Sequence, residues 1–146
     1  MSERKLITVI CPVQNEQVTV PLFYPRLKAA LKPLEDRYDF EILFTNNRST
    51  DNTLTEIQKI RALDKRVEVL TLSRNFGYEC SVATGLRYAR GAALTVIDVD
   101  CEDPPEMIPQ FIAEWEQGND VVYGQRARRQ EPLMMHLTRK LYYRLN

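Results

Sequence analysis

Apolar and polar residues follow one another along this chain in blocks that predict strands and helices in turn. Short runs rich in β-branched residues predict buried strands, whereas apolar residues spaced three and four apart predict helices that bury one face. The clearest helical stripe consists of Ile108, Phe111, Ile112 and Trp115. The predicted strands are Leu6 to Val13, Phe40 to Thr45, Val67 to Leu72, Ala93 to Ile97 and a short fifth strand, Val121 to Tyr123.

Helices fill the intervals between these strands. The first covers Val18 to Leu34 with Leu22, Leu27 and Leu31 among its apolar positions, the second runs through Leu54, Ile57 and Ile60, the third ends at Gly91, and the fourth stops near Gly118. Strands that alternate with helices through short connections pair in parallel by right-handed crossovers. We therefore predict an α/β fold with a doubly wound, mainly parallel, Rossmann-like sheet and helices on both of its faces.

The composition is that of one domain with balanced charge. The chain has 146 residues, enough for one domain with a real core, and carries 20 basic and 20 acidic residues. This balance gives no reason to expect a nucleic acid partner. Cys11, Cys80 and Cys101 are widely spaced and form no C-x-x-C pair, which argues against a zinc site and indicates a reducing, cytoplasmic setting. No run has the length of a membrane span or the pattern of a signal peptide.

The character of the chain changes after Gly124. Residues 126–146 mix Leu, Met and Tyr with many basic residues, and Glu131 is their only acid. We therefore divide the chain into residues 1–125, which form the α/β domain, and residues 126–146, a basic amphipathic tail. The tail either lies on a membrane surface or partner, or packs as an ordinary terminal helix on the domain.

The positions of the glycines exclude several nucleotide-binding classes. None of the five glycines lies in the loop after the first predicted strand. A dinucleotide fingerprint, a P-loop and a nucleotidyltransferase loop each need glycines there, so that the backbone can approach phosphate. The loop instead reads Pro-Val-Gln-Asn-Glu, from Pro12 to Glu16.

Four carboxylates follow the fourth predicted strand within six residues, namely Asp98, Asp100, Glu102 and Asp103. Parallel sheets bind ligands beyond the carboxyl ends of their strands, and clustered carboxylates suit hard cations such as Mg²⁺ or Mn²⁺. The pattern therefore indicates a metal or catalytic site. The alternative is an acidic loop that caps the next helix, with Asp103 as its N-cap.

Four motifs together resemble those of glycosyltransferase family two, in the same order and spacing. They are Pro12 to Glu16, Asn46 to Asp51, Leu72 to Gly77 and Asp98 to Glu106. The resemblance is closest to the branch of dolichyl-phosphate mannose synthase and the bacterial polyprenyl-phosphate sugar transferases. It implies a GT-A fold, a nucleotide-diphosphate sugar donor and a divalent metal, and it implies that the chain is the N-terminal portion of a longer catalytic domain.

The same resemblance assigns roles to the acidic segment. Asp100, the second Asp of the Asp-x-Asp pair, corresponds to the principal metal ligand, and Glu102 can assist it. Asp98 corresponds to a residue that supports the ribose or the metal shell, so Asp98 and Asp100 are the expected catalytic residues. The branch often has Gln where this chain has Glu102, which gives the site an extra formal charge. A bound cation would stabilise the charge on the departing nucleoside diphosphate.

The turn after the second strand departs from the family, which usually presents Asp to the nucleobase there. Asn46 and Asn47 take its place. An amide accepts the single N3–H of uracil, whereas the paired donors of guanine favour a carboxylate, so we expect a uridine nucleotide. The alternative is that the two residues only serve the left-handed geometry of a turn.

The remaining donor-site residues come from three loops. Pro12, Asn15 and Val99 correspond to positions that bind the donor nucleotide. Glu16 either approaches the ribose or base, or caps the helix that follows it. Arg74 either binds the diphosphate near Tyr78 and the start of the third helix, or is purely structural.

From these motifs we predict a metal-dependent, inverting glycosyltransferase domain. It would transfer a sugar from a nucleotide-diphosphate donor, UDP in preference to GDP, to a polyprenyl phosphate or another acceptor at the cytoplasmic face of a membrane. No catalytic base stands out, and an anionic acceptor phosphate needs little activation. The alternative is a non-catalytic module that binds nucleotide sugars or docks on a membrane.

Overall fold

A computed structural model describes residues 4–125, in which four parallel strands form one sheet with the order β3-β2-β1-β4. The strands are β1 (Lys5–Val13), β2 (Tyr38–Asn46), β3 (Val67–Thr71) and β4 (Ala93–Val96). The helices are α1 (Thr19–Leu31), α2 (Thr53–Leu63), α3 (Tyr78–Tyr88) and α4 (Ile108–Glu116), with short 3-10 turns at Lys32–Leu34 and Pro105–Met107.

The central strand β1 is buried from Ile7 to Val13 because it is covered on both faces. Alternate residues such as Val9 and Cys11 join a core with side chains of α1, α2 and α4. The intervening positions face α3, whose Gly85 packs against Ile10. Helices therefore lie on both faces of a parallel sheet, which confirms the predicted fold class.

The order of the strands places a switch point beside β1. From β1 the chain moves outward through β2 to β3, with α1 and α2 on one face, and then returns through α3 on the other face to add β4 on the opposite side of β1. The strand order therefore reverses between β1 and β4. Open α/β sheets bind ligands beyond the carboxyl ends of the strands at such a reversal.

A carboxylate at the end of α2 ties three elements together. The Tyr24 hydroxyl of α1 donates to Asp64 Oδ2 at 2.6 Å, and the Arg66 guanidinium donates to both Asp64 oxygens. Arg66 also reaches Glu35 Oε1 at 2.7 Å, beyond the C-terminal end of α1. The hydrogen bonds from Arg66 and Tyr24 hold the pKa of Asp64 far below its usual range.

Two details of the sequence prediction are wrong. Val121 to Tyr123 forms no strand, because this segment pairs with none of the described strands, and Val121 and Tyr123 are both 80% exposed. The first helix begins at Thr19 and its α-helical part ends at Leu31, because Pro33 then shapes a 3-10 turn. Leu22 lies on the solvent side of α1 and is exposed.

The predicted tail, residues 126–146, lies outside the described residues. Within residues 4–125, no helix combines the length and the apolar character that a membrane crossing requires.

Candidate active site

A cleft of about 280 Å³ opens at the carboxyl ends of β1, β2 and β4, beside the start of α3. It lies at the switch point described above, so the topology of the sheet and the cavity identify the same place. Its lining residues are Pro12, Val13, Gln14, Glu16, Asn47, Tyr78, Ser81, Asp98, Val99 and Asp100.

Six of the predicted site residues meet at this cleft, and they come from the carboxyl ends of three strands and the loops that follow them. They are Pro12, Glu16, Asn47, Asp98, Val99 and Asp100. The other predicted residues are not part of its lining: Asn15 and Glu102 lie in the loops after β1 and β4, Asn46 ends β2, and Arg74 lies in the loop after β3. Motifs as distant in the sequence as those of Glu16 and Asp98 are therefore brought to one cavity by the parallel sheet.

The lining also contains Ser81, which is not among the predicted site residues. Ser81 is buried, and its Oγ donates to the carbonyl oxygen of Thr45 at 3.0 Å. It lies one helical turn after Tyr78 and so shares a face of α3 with it. That spacing is the signal in the sequence that could have identified it. The other lining residues outside the predicted set are Val13 and Gln14, which belong to the Pro12 to Glu16 motif, and Tyr78, the first residue of α3.

The loop after β1 is fastened to the turn after β2 by hydrogen bonds. Asn15, at φ 59°, accepts a bond from the Thr50 backbone N–H at 2.8 Å through its side-chain oxygen. Its own N–H donates to Ser49 Oγ at 3.0 Å, and the N–H of Glu16 donates to Thr53 Oγ1 at 2.7 Å. The polar residues of these two motifs thus hold the loops in one arrangement.

Glu16 lies between the cleft and the first turn of α1, but it does not cap the helix as the alternative prediction had it: Val18 occupies the N-cap position, and no side chain caps the helix there. Its side chain lines the cleft, and its carboxylate accepts a short hydrogen bond from the hydroxyl of Thr19, the first residue of α1. The backbone oxygen of Glu16 also accepts from the Val20 N–H at 3.0 Å. Glu16 therefore lines the cleft and is held against the first turn of α1.

The amides of Asn46 and Asn47 are buried and hydrogen-bonded to protein groups. Asn46 Oδ1 accepts from the Ser49 N–H at 2.9 Å, which forms a side-chain turn. Asn47 Nδ2 donates to Asn75 Oδ1 at 2.9 Å, and Asn47 Oδ1 accepts from the Phe76 N–H at 2.9 Å. Asn47 therefore joins the end of β2 to the loop that leads into α3.

Arg74 lies beside this loop. Its guanidinium carbon lies 4.5 Å from the centre of the Phe76 ring, a cation–π arrangement on the protein surface. Phe76 in turn is held by Asn47 through its backbone N–H. In this conformation the Arg74 guanidinium stacks on a side chain of its own loop.

The acidic loop after β4 contributes two carboxylates to the cleft. Asp98 Oδ1 accepts a hydrogen bond from the Tyr78 hydroxyl at 2.9 Å. Asp100 is exposed, and its Oδ1 accepts from the N–H of Glu102 at 2.9 Å, which turns the chain back after the strand. The predicted N-cap role of Asp103 is wrong, because the 3-10 turn begins at Pro105 and Pro104 occupies the cap position.

All four loops at the carboxyl edge contain one residue in a left-handed conformation. Asn15 follows β1 at φ 59°, Arg48 follows β2 at φ 58°, Gly77 follows β3 at φ 90°, and Cys101 follows β4 at φ 65°. Left-handed φ is unfavourable for residues with a side chain, and such residues concentrate where surrounding contacts fix the backbone. Here each one marks the reversal of the chain from strand to helix.

The carboxylates fit a cation that draws further ligands from elsewhere. Within residues 4–125, no three Asp, Glu, Cys or His side chains converge closely enough to form a metal cage. Mg²⁺ usually takes one or two carboxylates and completes its shell with substrate phosphates and water, and Mn²⁺ suits the same oxygen ligands. Asp100, which is exposed at the cleft, matches that donor set.

Comparison with known proteins identifies the family. The model of the glycosyl transferase family 2 matches residues 8–134. An uncharacterised glycosyltransferase of Bacillus subtilis strain 168, YkcC, is 36% identical over 99% of this chain and 45% of its own length. A bactoprenol glucosyl transferase of Shigella phage SfV is 36% identical over 96% of this chain and 45% of its own length. The chain thus spans about 45% of the length of these curated relatives.

Solved structures share the fold. S. aureus TarS 1–349 in complex with UDP-GlcNAc has a TM-score of 0.66 and 22% identity, over 86% of this chain and 37% of the other. A mannosyltransferase from Pyrobaculum calidifontis, in complex with GDP-Man and Mn²⁺, has a TM-score of 0.64 and 20% identity, over 78% and 33%. The four motifs, the GT-A-like sheet with its cleft and the family model agree, and the chain belongs to glycosyl transferase family 2.

Proposed function

We propose that this chain forms the donor half of a glycosyltransferase active site and that its cleft binds a nucleoside-diphosphate sugar. The observation that carries the proposal is the meeting of the Pro12 to Glu16 loop with Asp98 and Asp100 in one cleft at the switch point of the sheet. In this proposal the cleft is the donor site, and these residues would contact the donor around it. The family membership and the relatives named as glycosyltransferases support this assignment.

In this proposal each residue of the cleft contacts a different part of the donor. Pro12 and Val99 form walls on either side, and Asp98 accepts a hydrogen bond from a hydroxyl of the nucleoside sugar. Glu16 presents a second carboxylate on the side of α1. Asn15 acts through the loop that it holds rather than through the lining.

The diphosphate would lie towards Asp100, which together with Glu102 would hold Mg²⁺ or Mn²⁺. When bound, the cation supplies Lewis-acid stabilisation of the negative charge on the departing nucleoside diphosphate. Asp100 is held in place by the Glu102 N–H, so the carboxylate that would meet the cation is already oriented. Similar proteins crystallised with Mn²⁺, such as the Pyrobaculum mannosyltransferase, support a divalent metal.

We propose UDP as the preferred nucleotide because Asn46 and Asn47 supply no negative charge beside the base. Guanine presents two adjacent N–H donors that a carboxylate accepts well, whereas uracil presents a single N3–H. The amides already bond Ser49, Asn75 and Phe76, so they do not reach freely towards a base: Asn47 contributes a neutral wall of the cleft, and Asn46 holds the turn that follows it.

For the acceptor we propose a polyprenyl phosphate. The bactoprenol glucosyl transferase among the relatives supports a lipid acceptor of this kind. A phosphate oxygen is already anionic and attacks without a strong general base, which suits a cleft whose carboxylates are assigned to the donor and the metal. Residues 126–146, basic and amphipathic in sequence, would then approach the membrane surface.

The test is calorimetric titration of the chain with UDP and with GDP, each with and without Mn²⁺. We expect Mn²⁺-dependent binding of both nucleotides, tighter for UDP. The absence of metal-dependent binding for both would overturn the donor-site proposal, and tighter binding of GDP would overturn the preference alone.

Asp100→Asn should remove the effect of Mn²⁺ and keep the fold. Asp36→Asn, an exposed substitution before β2, serves as its matched control.

Transfer distinguishes an enzyme from a binding module. A longer protein that contains this chain should move the sugar from the UDP donor to a polyprenyl phosphate in vesicles. Nucleotide binding without any such transfer would assign the chain to the non-catalytic alternative.

A further inference from the structure

Tyr78 links two loops of the cleft that are otherwise separate in the chain. It is the first residue of α3, and its hydroxyl donates to Asp98 Oδ1 at 2.9 Å, across a sequence distance of 20 residues. Both residues line the cleft. The bond therefore connects the start of α3 to the acidic loop at the point where a donor would enter.

The hydroxyl of Tyr78 faces a strongly acidic environment. Burial, followed by the hydrogen bond to Asp98 and the charges of Asp98, Asp103 and Asp100, raises the pKa of Tyr78 to about 12. The side chain therefore stays protonated at neutral pH and acts as a donor towards the carboxylate. A neutral donor can hold Asp98 without cancelling the negative charge that a cation requires.

The backbone around Tyr78 is also held in place. Gly77 precedes it at φ 90°, a conformation that a residue with a side chain rarely adopts. The Asn75 side chain accepts hydrogen bonds from the Gly77 N–H and from Asn47, each at 2.9 Å. The residue after β2 thus holds the backbone at the start of α3, and the half-exposed Tyr78 side chain is held at its tip by the hydrogen bond to Asp98.

We propose that Tyr78 is a positioning residue for the donor nucleotide, which acts by orienting Asp98. One oxygen of Asp98 is engaged by the tyrosine, and the carboxylate is thereby set to accept a hydrogen bond from the nucleoside sugar through its other oxygen. This inference rests on the proposed donor site. At metal sites, loss of a group that orients a ligand by a hydrogen bond typically weakens affinity about 10–100-fold, and we expect a comparable effect on a carboxylate that binds the nucleotide.

The experiment compares Tyr78→Phe with the wild-type chain by calorimetric titration of UDP in the presence of Mn²⁺. The substitution removes the hydroxyl and keeps the ring, and we expect UDP binding about tenfold weaker with an unchanged melting temperature. Tyr88→Phe is the matched control, because Tyr88 lies on the same helix, is similarly exposed and is outside the cleft lining. We expect it to bind UDP as the wild type does.

The same titration in an Asp98→Asn background shows whether Tyr78 acts through Asp98. We expect Tyr78→Phe to have little further effect there, because the oriented carboxylate is already gone. If Tyr78→Phe weakens UDP binding equally in both backgrounds, the proposal is overturned, and the Tyr78 hydroxyl contacts the nucleotide directly. Unchanged binding by Tyr78→Phe in a wild-type background that binds UDP would overturn it as well. If the wild type itself binds neither UDP nor GDP, the donor site fails and this role fails with it.

Discussion

Gly85 is a single residue on which the position of α3 depends. A Cβ at this position would lie 2.3 Å from Ile10 Cγ2 and 3.3 Å from Thr45 Cγ2. Ile10 is fully buried in the central strand, so its methyl group has little room to move. The absence of a side chain at Gly85 therefore lets the helix that bears Tyr78 and Ser81 approach the sheet.

We expect Gly85→Ala to destabilise the chain by about 1–3 kcal/mol, because the overpacking outweighs the better helix propensity of alanine. Urea unfolding measures the change. In an Ile10→Ala background, where the clashing methyl group is absent, the same substitution should cost less. Thr84→Ala on the same helix is the control, and a Gly85→Ala variant as stable as that control would refute the close-packing account.

The contacts of individual site residues were the feature of the structure that was hardest to predict from the sequence. The motifs placed Asp98, Asp100 and Glu16 at the cleft, because strand ends and chain order determine which loops meet. The partners of Asn47 lie 28 and 29 residues away, and no local pattern encodes such bonds.

At the scale of elements, hydrophobic periodicity predicted the strands and helices correctly wherever a neighbouring strand or helix packs against the segment. Four of the five predicted strands form, and each pairs with a neighbour. The Val121 to Tyr123 segment has a similar apolar pattern but pairs with none of the described strands. A strand depends on its neighbour, which a pattern within one segment does not reveal.

Asp64 shows how elements are joined. We expect Asp64→Asn to lower the stability at pH 7 by about 1–3 kcal/mol, because it removes a charged acceptor from the Arg66 and Tyr24 hydrogen bonds. Urea unfolding at several pH values measures the effect. Asp39→Asn, which alters an exposed ion pair with Arg4, should change the stability much less.

The pH dependence of this difference has a definite sign. The pKa of Asp64 is lower in the folded chain than in the unfolded chain, so its contribution is complete above the usual Asp value of about 3.9. As the pH falls through that value towards the lower folded pKa, the unfolded state takes up a proton first and the contribution is lost. The gap between wild type and Asp64→Asn should therefore narrow in acid, and a gap that widens would contradict the assignment.

At the scale of the whole molecule, the segment that follows the acidic loop is anchored to α1, which is distant in the sequence. Arg26 on α1 donates to both carboxylate oxygens of Glu106, at 3.1 and 3.0 Å, across 80 residues of sequence. Glu106 lies in the 3-10 turn that follows the acidic loop. The pair thus limits how far this loop can move from α1.

We expect Arg26→Ala to weaken Mn²⁺-dependent UDP binding by about two- to fivefold, the range typical of an exposed ion pair, because the loop that carries Asp100 becomes less ordered. Calorimetric titration measures it. Arg37→Ala removes a comparable exposed pair, with Glu116 on α4, and should leave UDP binding unchanged. Equal effects of the two substitutions would show that the Arg26 pair has no particular connection to the site.

The left-handed residues at the carboxyl edge determine where the chain can be altered. Each of the four loops there reverses direction around one such residue, so an inserted residue would shift that conformation to the wrong position. The exposed connection at residues 35–37, between α1 and β2, contains none. A reporter peptide or new chain termini should therefore be accepted around Asp36, whereas insertions beside Asn15, Arg48 or Cys101 should prevent folding. A scan of insertions would thus trace the outline of the active site without any substrate.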